Sequence, residues 1–119
     1  MSEATRQEGS CHCGGIRFEV EGDFSEALEC NCSICRRRGT LLAFVPRGNL
    51  VLKTPEENMS RYEFNKHVIR HYFCPTCGVA PFAEAAAPDG KNMAAINVRC
   101  LPDVDLDALK INRFNGKDI

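Results

Sequence analysis

The pentapeptide Cys74-Pro75-Thr76-Cys77-Gly78 presents two thiols across one short turn. Pro75 sets the turn, and Gly78 lets backbone N–H groups approach the sulfurs without a side-chain clash, so the segment has the form of a zinc knuckle. A closed tetrahedral site takes four protein ligands, and a knuckle therefore needs a second pair. Cys11-His12-Cys13 supplies it. In a strand Cys11 and Cys13 share one face, and His12 points away and is exposed. The expected structural zinc is held by Cys11, Cys13, Cys74 and Cys77, and it ties the first strand to the middle of the chain.

Between the two pairs lies Cys30-Asn31-Cys32-Ser33-Ile34-Cys35. Three thiolates this close can cap one ion and leave a coordination position open, which is what Lewis-acid chemistry or thiol binding needs. Cys30, Cys32 and Cys35 are thus candidate catalytic ligands of a second zinc. A competing reading is a second structural site, closed by Cys100 or a histidine. Iron–sulfur ligation is weaker, since it usually takes four cysteines. A thiol-redox site would use the same sulfurs without metal. The chain has eight cysteines in all. Met1–Ser10 is polar and lacks the apolar segment of a secretory signal, so a reducing cytoplasm is expected and a disulfide scaffold is not. Seven of the eight cluster in motifs, which is not the pattern of inert buried thiols.

The remaining sequence describes a small β protein. With 119 residues, 44% hydrophobic and 26% charged, the chain reads as one globular domain with a thin core. A flexible tail is expected over residues 1–8 and a single zinc-binding domain over 9–119. The 15 basic and 16 acidic residues provide no excess positive charge to grip phosphates, so nucleic acid is not an expected partner. The longest strongly apolar run, Leu41–Val45, falls far short of the roughly 20 residues that span a bilayer. Gly15–Glu21 alternates Ile16, Phe18 and Val20 with Arg17, Glu19 and Glu21, as a half-buried strand does. Thr40–Val45 and Leu50–Lys53 flank Pro46-Arg47-Gly48-Asn49 and read as a hairpin. Met59–Phe64 and Val68–Phe73 form a second pair with a turn near Asn65-Lys66. Val79–Glu84 and Met93–Arg99 are further strands, separated by a turn at Pro88-Asp89-Gly90-Lys91. Asp105–Leu109 makes one short helical turn, and helical periodicity is poor elsewhere.

Several residues flank the second cysteine motif or stand apart from it. Arg36, Arg37 and Arg38 follow it directly. They read either as a cationic wall for substrate carboxylates or as a solvated loop that balances thiolate charge. His67 and His71 share a strand face with Ile69 and are expected at the surface or behind the ligands. Phe44, Phe73 and Phe82 are expected to fill the core. Cys100 reads as a buried free thiol, with fourth-ligand duty the sharper alternative. Asp103, Asp105 and Asp107 lack the glycine and glutamate of a calcium loop and read as a solvated turn.

Four segments together resemble the glutathione-dependent formaldehyde-activating enzyme (GFA) family, which shares its domain with centromere protein V. They are Gly9–Gly15 (GSCHCGG), Cys30–Arg36 (CNCSICR), Phe73–Gly78 (FCPTCG) with Pro81-Phe82, and Asn97–Leu101 (NVRCL). The resemblance implies a mainly β, β-tent fold of small antiparallel sheets around a structural zinc, with little helix. It implies the same four-plus-three ligand division, with two zinc ions per chain and the three-cysteine ion as the active site. It further implies a carbon–sulfur lyase acting on a small thiol adduct, glutathione with formaldehyde being the name-giving pair. Arg36 and Arg37, from their place after the cysteine triple, are the candidate contacts to the carboxylates of such a substrate. The fold also serves non-catalytic members, so a zinc-stabilised binding or chaperone-like domain is the alternative. Many relatives carry His where this chain has Asn31, a position between ligands that leaves the ligand set intact.

Overall fold

Two antiparallel strands, β1 (Thr5–Ser10) and β2 (Arg17–Gly22), open the fold, with Thr5 opposite Gly22 and Ser10 opposite Arg17. The computed structural model describes residues 5–63, 69–86 and 89–115. The alternation around Phe18 behaves as read: Phe18 and Val20 are buried, and Arg17 and Glu21 are exposed. Within the stretch 1–8 expected as a tail, Thr5 to Glu8 pair with β2.

The chain continues through β3 (Glu26–Cys30), a six-residue helix α1 (Ser33–Arg38), β4 (Leu42–Pro46) and β5 (Leu50–Leu52). Then come β6 (Ser60–Tyr62), β7 (Arg70–Phe73), β8 (Phe82–Ala86), β9 (Asn92–Asn97) and β10 (Lys110–Phe114). They form a three-stranded sheet of order β1-β2-β5 and a seven-stranded sheet of order β10-β3-β4-β9-β8-β7-β6. The mainly β expectation holds, and α1 is the one α-helix among the described residues. No helix among them is long and apolar enough to cross a membrane.

Three features depart from the sequence reading. The segments around Pro46-Arg47-Gly48-Asn49 are not a hairpin. Arg47–Asn49 is a 3₁₀ turn that sends the chain from one sheet to the other, β4 pairing with β3 and β9 while β5 pairs with β2. The turn residues were legible, but the choice of partner strand is made by Leu50, buried opposite Val20. The sheets are not wholly antiparallel, since β10 runs parallel to β3 along the fully exposed edge. Helix α1 buries no residue, so it carries no apolar stripe for periodicity to detect. It ends at Gly39, whose φ of 70° stops it. The pairing of β6 with β7 was anticipated, with Ser60 opposite Phe73 and Tyr62 opposite His71, and its turn lies outside the described residues. The short turn near Asp105–Leu109 is 3₁₀, over Leu106–Ala108.

Register decides what each face of the large sheet does. Ala43, Val45, Phe82, Ala94 and Ile96 fall on one face, and all are buried. The small sheet covers this face, and the Phe18 ring stands edge-on to Phe82 at 5.6 Å between centroids. The opposite face carries Leu42, Phe44, Ala83, Ala95 and Met93, which no second layer covers to the same degree. Phe44 is therefore not a core residue but 55% exposed. Because Phe18 sits where the two sheets meet, Phe18→Ala in metal-replete buffer is expected to lower unfolding free energy by about 3–5 kcal/mol. Chemical denaturation checks this, and a loss under about 1 kcal/mol would place the core elsewhere.

Candidate metal centres

Cys11 and Cys13 lie in the turn between β1 and β2, not in a strand as the spacing first implied. Cys74 and Cys77 lie in the turn between β7 and β8. All four sulfurs lie within 4.8 Å of one another, although the two pairs are about sixty residues apart. The Cys11 and Cys13 sulfurs are 3.7 Å apart and those of Cys13 and Cys74 are 3.5 Å apart. A tetrahedral ion with bonds of about 2.3 Å needs sulfurs about 3.8 Å apart, so the group matches zinc–thiolate geometry.

Backbone donors converge on these sulfurs. The Ile16 amide donates to Cys11 Sγ at 3.3 Å and the Cys77 amide to Cys74 Sγ at 3.4 Å. The knuckle closes through Gly78 N–H donating to the Cys74 carbonyl at 2.8 Å, and the Cys74 amide donates to the Val79 carbonyl at 2.9 Å. Gly78 is required for its φ of +82° and not for space, since a Cβ there would meet nothing within 4 Å. Amides of Val79 and Cys13 draw the Cys77 thiol down to about 6, a thiol already disposed to ionise and ligate. The Gly15 amide acts the same way on Cys13, but the neighbouring Cys74 and Cys11 sulfurs outweigh it and lift that thiol to about 11.

The second group is Cys30 at the end of β3, Cys32 at the N-cap of α1 and Cys35 within it. Their sulfurs also lie within 4.8 Å of one another. The Cys32 amide donates to Cys30 Sγ at 3.4 Å. Burial, then the Cys32 sulfur, pushes Cys35 up to about 12. Burial acts upward on Cys32 too, but the Cys35 amide and neighbouring thiols outweigh it and lower that group. Asn31 fixes the loop between ligands: its amide donates to the Phe114 carbonyl at 3.2 Å and its side chain to Asn115 Oδ1 at 2.9 Å. A donor set of three thiolates suits zinc and leaves a tetrahedral ion one position short.

The two groups differ in what lies beside them. A cavity of about 660 Å³ is lined by Cys30, Cys32 and Cys35, by Arg36, Arg37 and Arg38, and by the uncovered face of the large sheet. None of the four cysteines of the first group lines it. Arg37 donates to the Ser33 carbonyl at 2.8 Å, and the Arg38 guanidinium lies over the Phe73 ring at 5.7 Å. His71 also lines the cavity; burial and then the Arg38 charge lower its pKa. Phe44 lines the cavity and Phe73 lies half-buried under Arg38, so of the three phenylalanines expected in the core only Phe82 is buried there.

Cys100 belongs to neither group. It is buried in a 3₁₀ turn beside Asn97, whose side-chain amide lies 3.7 Å from its sulfur, and burial lifts it to about 11. His12 is exposed, as expected from its place between ligands. His67 lies outside the described residues. Asp103, Asp105 and Asp107 form no metal-sized group among the described residues, and Asp105 instead accepts the Asp107 amide at 3.0 Å. Sequence reasoning missed the alanines Ala83 and Ala95 that line the cavity, because small residues in a strand leave no signal of the space they make.

The unequal surroundings set the expected response to losing a ligand. Structural zinc contributes about 10–16 kcal/mol of apparent binding energy, as much as the whole stability of a typical domain. Cys77→Ser is therefore expected to lose the fold by circular dichroism, and a metal-free Cys77→Ser protein with native melting would overturn the clamp. Cys100→Ala is expected to keep the metal content of the wild type by elemental analysis, and loss of one ion would make Cys100 a ligand.

Comparison with known proteins agrees with this layout. The family model described as "Glutathione-dependent formaldehyde-activating enzyme" matches residues 6–112. Among solved structures, a Rhodobacter sphaeroides protein from a structural genomics programme is 31% identical, with a TM-score of 0.76 over 88% of this chain and 99% of its own. With the family match spanning both cysteine groups and nearly every strand, this chain belongs to the glutathione-dependent formaldehyde-activating enzyme family.

Proposed function

We propose that the protein is a zinc-dependent carbon–sulfur lyase that interconverts a thiol and an aldehyde with their S-hydroxymethyl-type adduct, glutathione and formaldehyde being the pair in the family's description. The observation that carries this is the placement of the cavity: it is bordered by the three-cysteine group and not by the four-cysteine group. A closed structural ion needs no access, whereas an ion one ligand short beside a cavity can take a substrate. The reading assigns zinc to both groups, and a reducing cytoplasm suits eight free thiols.

In this reading Cys30, Cys32 and Cys35 would hold a catalytic zinc, which would supply Lewis acidity that lowers the pKa of the substrate thiol. Arg36 and Arg37 are exposed at the rim and offer guanidinium groups to the substrate's carboxylates. His71 lines the same cavity, and burial together with the Arg38 charge favours its neutral form, which makes it the candidate acceptor of the thiol proton. The sulfur lone pair then forms the C–S bond at the carbonyl carbon. The carbonyl π pair moves to oxygen, which takes back the proton held by His71, and the reverse direction breaks the same C–S bond and returns the proton to sulfur.

Thiols and formaldehyde combine unaided, so the test compares rates and not yields. Exchange NMR of a glutathione and formaldehyde mixture at equilibrium is expected to show faster interconversion with catalytic amounts of metal-loaded protein. Cys32→Ser is expected to abolish the acceleration, and His71→Gln to reduce it by roughly 10²-fold. Rates unchanged by the wild-type protein would overturn the formaldehyde reading. For the rim, charge reversal of Arg36 and Arg37 together is expected to weaken glutathione binding and flatten its salt dependence in calorimetry. Equal affinity at low and high salt in the wild type would remove these arginines from the site.

A further inference from the structure

Away from the cysteines the cavity is lined largely by apolar side chains, which a glutathione adduct of formaldehyde does not require. Its floor is the uncovered face of the large sheet, where Phe44, Ala95, Ala83 and His71 are successive cross-strand neighbours over β4, β9, β8 and β7. Two methyl groups lie between two rings in this row, so the sheet surface dips at Ala95 and Ala83. The dip continues along the strands. Toward α1 the next row is Leu42 and Asn97, and away from it the next is Met93 and Ala85. From Asn97 to Met93 is four residues of strand, about 13 Å. The three cysteines stand at the Asn97 end, because Cys30 closes β3 beyond Leu28, which pairs with Leu42, and α1 leads directly into β4. The result is a trough with a metal-ligating group at one end and an apolar run leading away from it.

We infer that the thiol adduct taken at the three-cysteine group carries an apolar group, the size of a medium alkyl chain or an aromatic ring, that lies in the trough over Ala95 and Ala83 between Phe44 and His71. This rests on the proposed function, since the thiol fixes one end of the ligand. Two observations select this occupant. The trough is continuous with the group that would hold the sulfur, so a ligand anchored there must project along it or leave it wet. The arginines lie only at the α1 end, so charge recognition and apolar recognition are separated along the ligand: carboxylate near the sulfur, hydrocarbon beyond. The volume, about 660 Å³, is that of a site for a whole small molecule.

The test uses metal-loaded protein and calorimetric titration with 2-mercaptoalkanoic acids, which keep thiol and carboxylate fixed and lengthen only the alkyl chain. Affinity is expected to rise by up to about fourfold per added methylene until the trough is full. Ala95→Leu fills the floor and is expected to collapse the affinity ratio between the longest and shortest acids. Phe44→Ala removes an exposed wall with little risk to folding and is expected to reduce the same ratio. A flat series in the wild type, with glutathione and the shortest acid still binding, would overturn the apolar assignment and leave the proposed function standing. No binding of any thiol would overturn both. A wild-type dimer in sedimentation that Phe44→Ala dissociates would show the face covered by a second copy, and would also overturn the inference.

Discussion

Four sulfurs from two turns meet at one point, and the two sheets are joined there. Cys11 and Cys13 leave the small sheet between β1 and β2, while Cys74 and Cys77 leave the large sheet between β7 and β8. The interior gathers Phe18, Val20, Phe82 and Ile96 with Ile16, Leu101 and other buried aliphatic side chains. A chain of this size buries only about two-thirds of its unfolded surface, which leaves little margin from burial alone. An ion held by both sheets would add a large free energy at the point where Cys11 and Cys74 enter that interior. Backbone amides are aimed at the Cys11 and Cys74 sulfurs, an arrangement that suits anionic ligands.

Holding the sheets together at one place leaves the far face of the large sheet uncovered, and that face is where the second cysteine group sits. The short helix α1 carries Cys35, takes Cys32 as its N-cap and places Arg38 over Phe73 on β7. It is placed by the cysteine cluster and its rim contacts and not by burial, since none of its residues is buried. The division of labour follows: one group of sulfurs braces the molecule and the other faces a cavity. Arg36 to Arg38 offset the negative charge that three thiolates bring, and in doing so make the cavity mouth favourable to anionic groups.

Both cysteine groups were legible because thiolate ligation imposes short, fixed spacings that few other constraints produce. The strands with one buried face were legible too, as Phe18 and Val20 show by alternating with charge. What was not legible depended on contacts distant in sequence. Leu50 pairs with Val20 and not with the preceding strand, and nothing in the turn at residues 46–49 records that choice. Phe44 looks like a core residue in isolation, yet the register of β4 against β9 turns it to the open face beside Ala95. Helix α1 left no sequence signal because it buries no residue and is made mostly of cysteine, arginine and serine, without an apolar period of 3.6. The space above Ala83 and Ala95 is invisible in one dimension, since small side chains define a cavity only by what stands around them.

The central claim is that one cysteine group is closed and the other open. Cadmium substituted for the native metal, using its NMR-active isotope, reports each ion separately through a shift governed by the number of sulfur ligands. Two resonances are expected, and adding a small thiol is expected to move one of them toward the position of the other while leaving that other in place. A single resonance, or two that both ignore the thiol, would contradict the division into a closed brace and an open site.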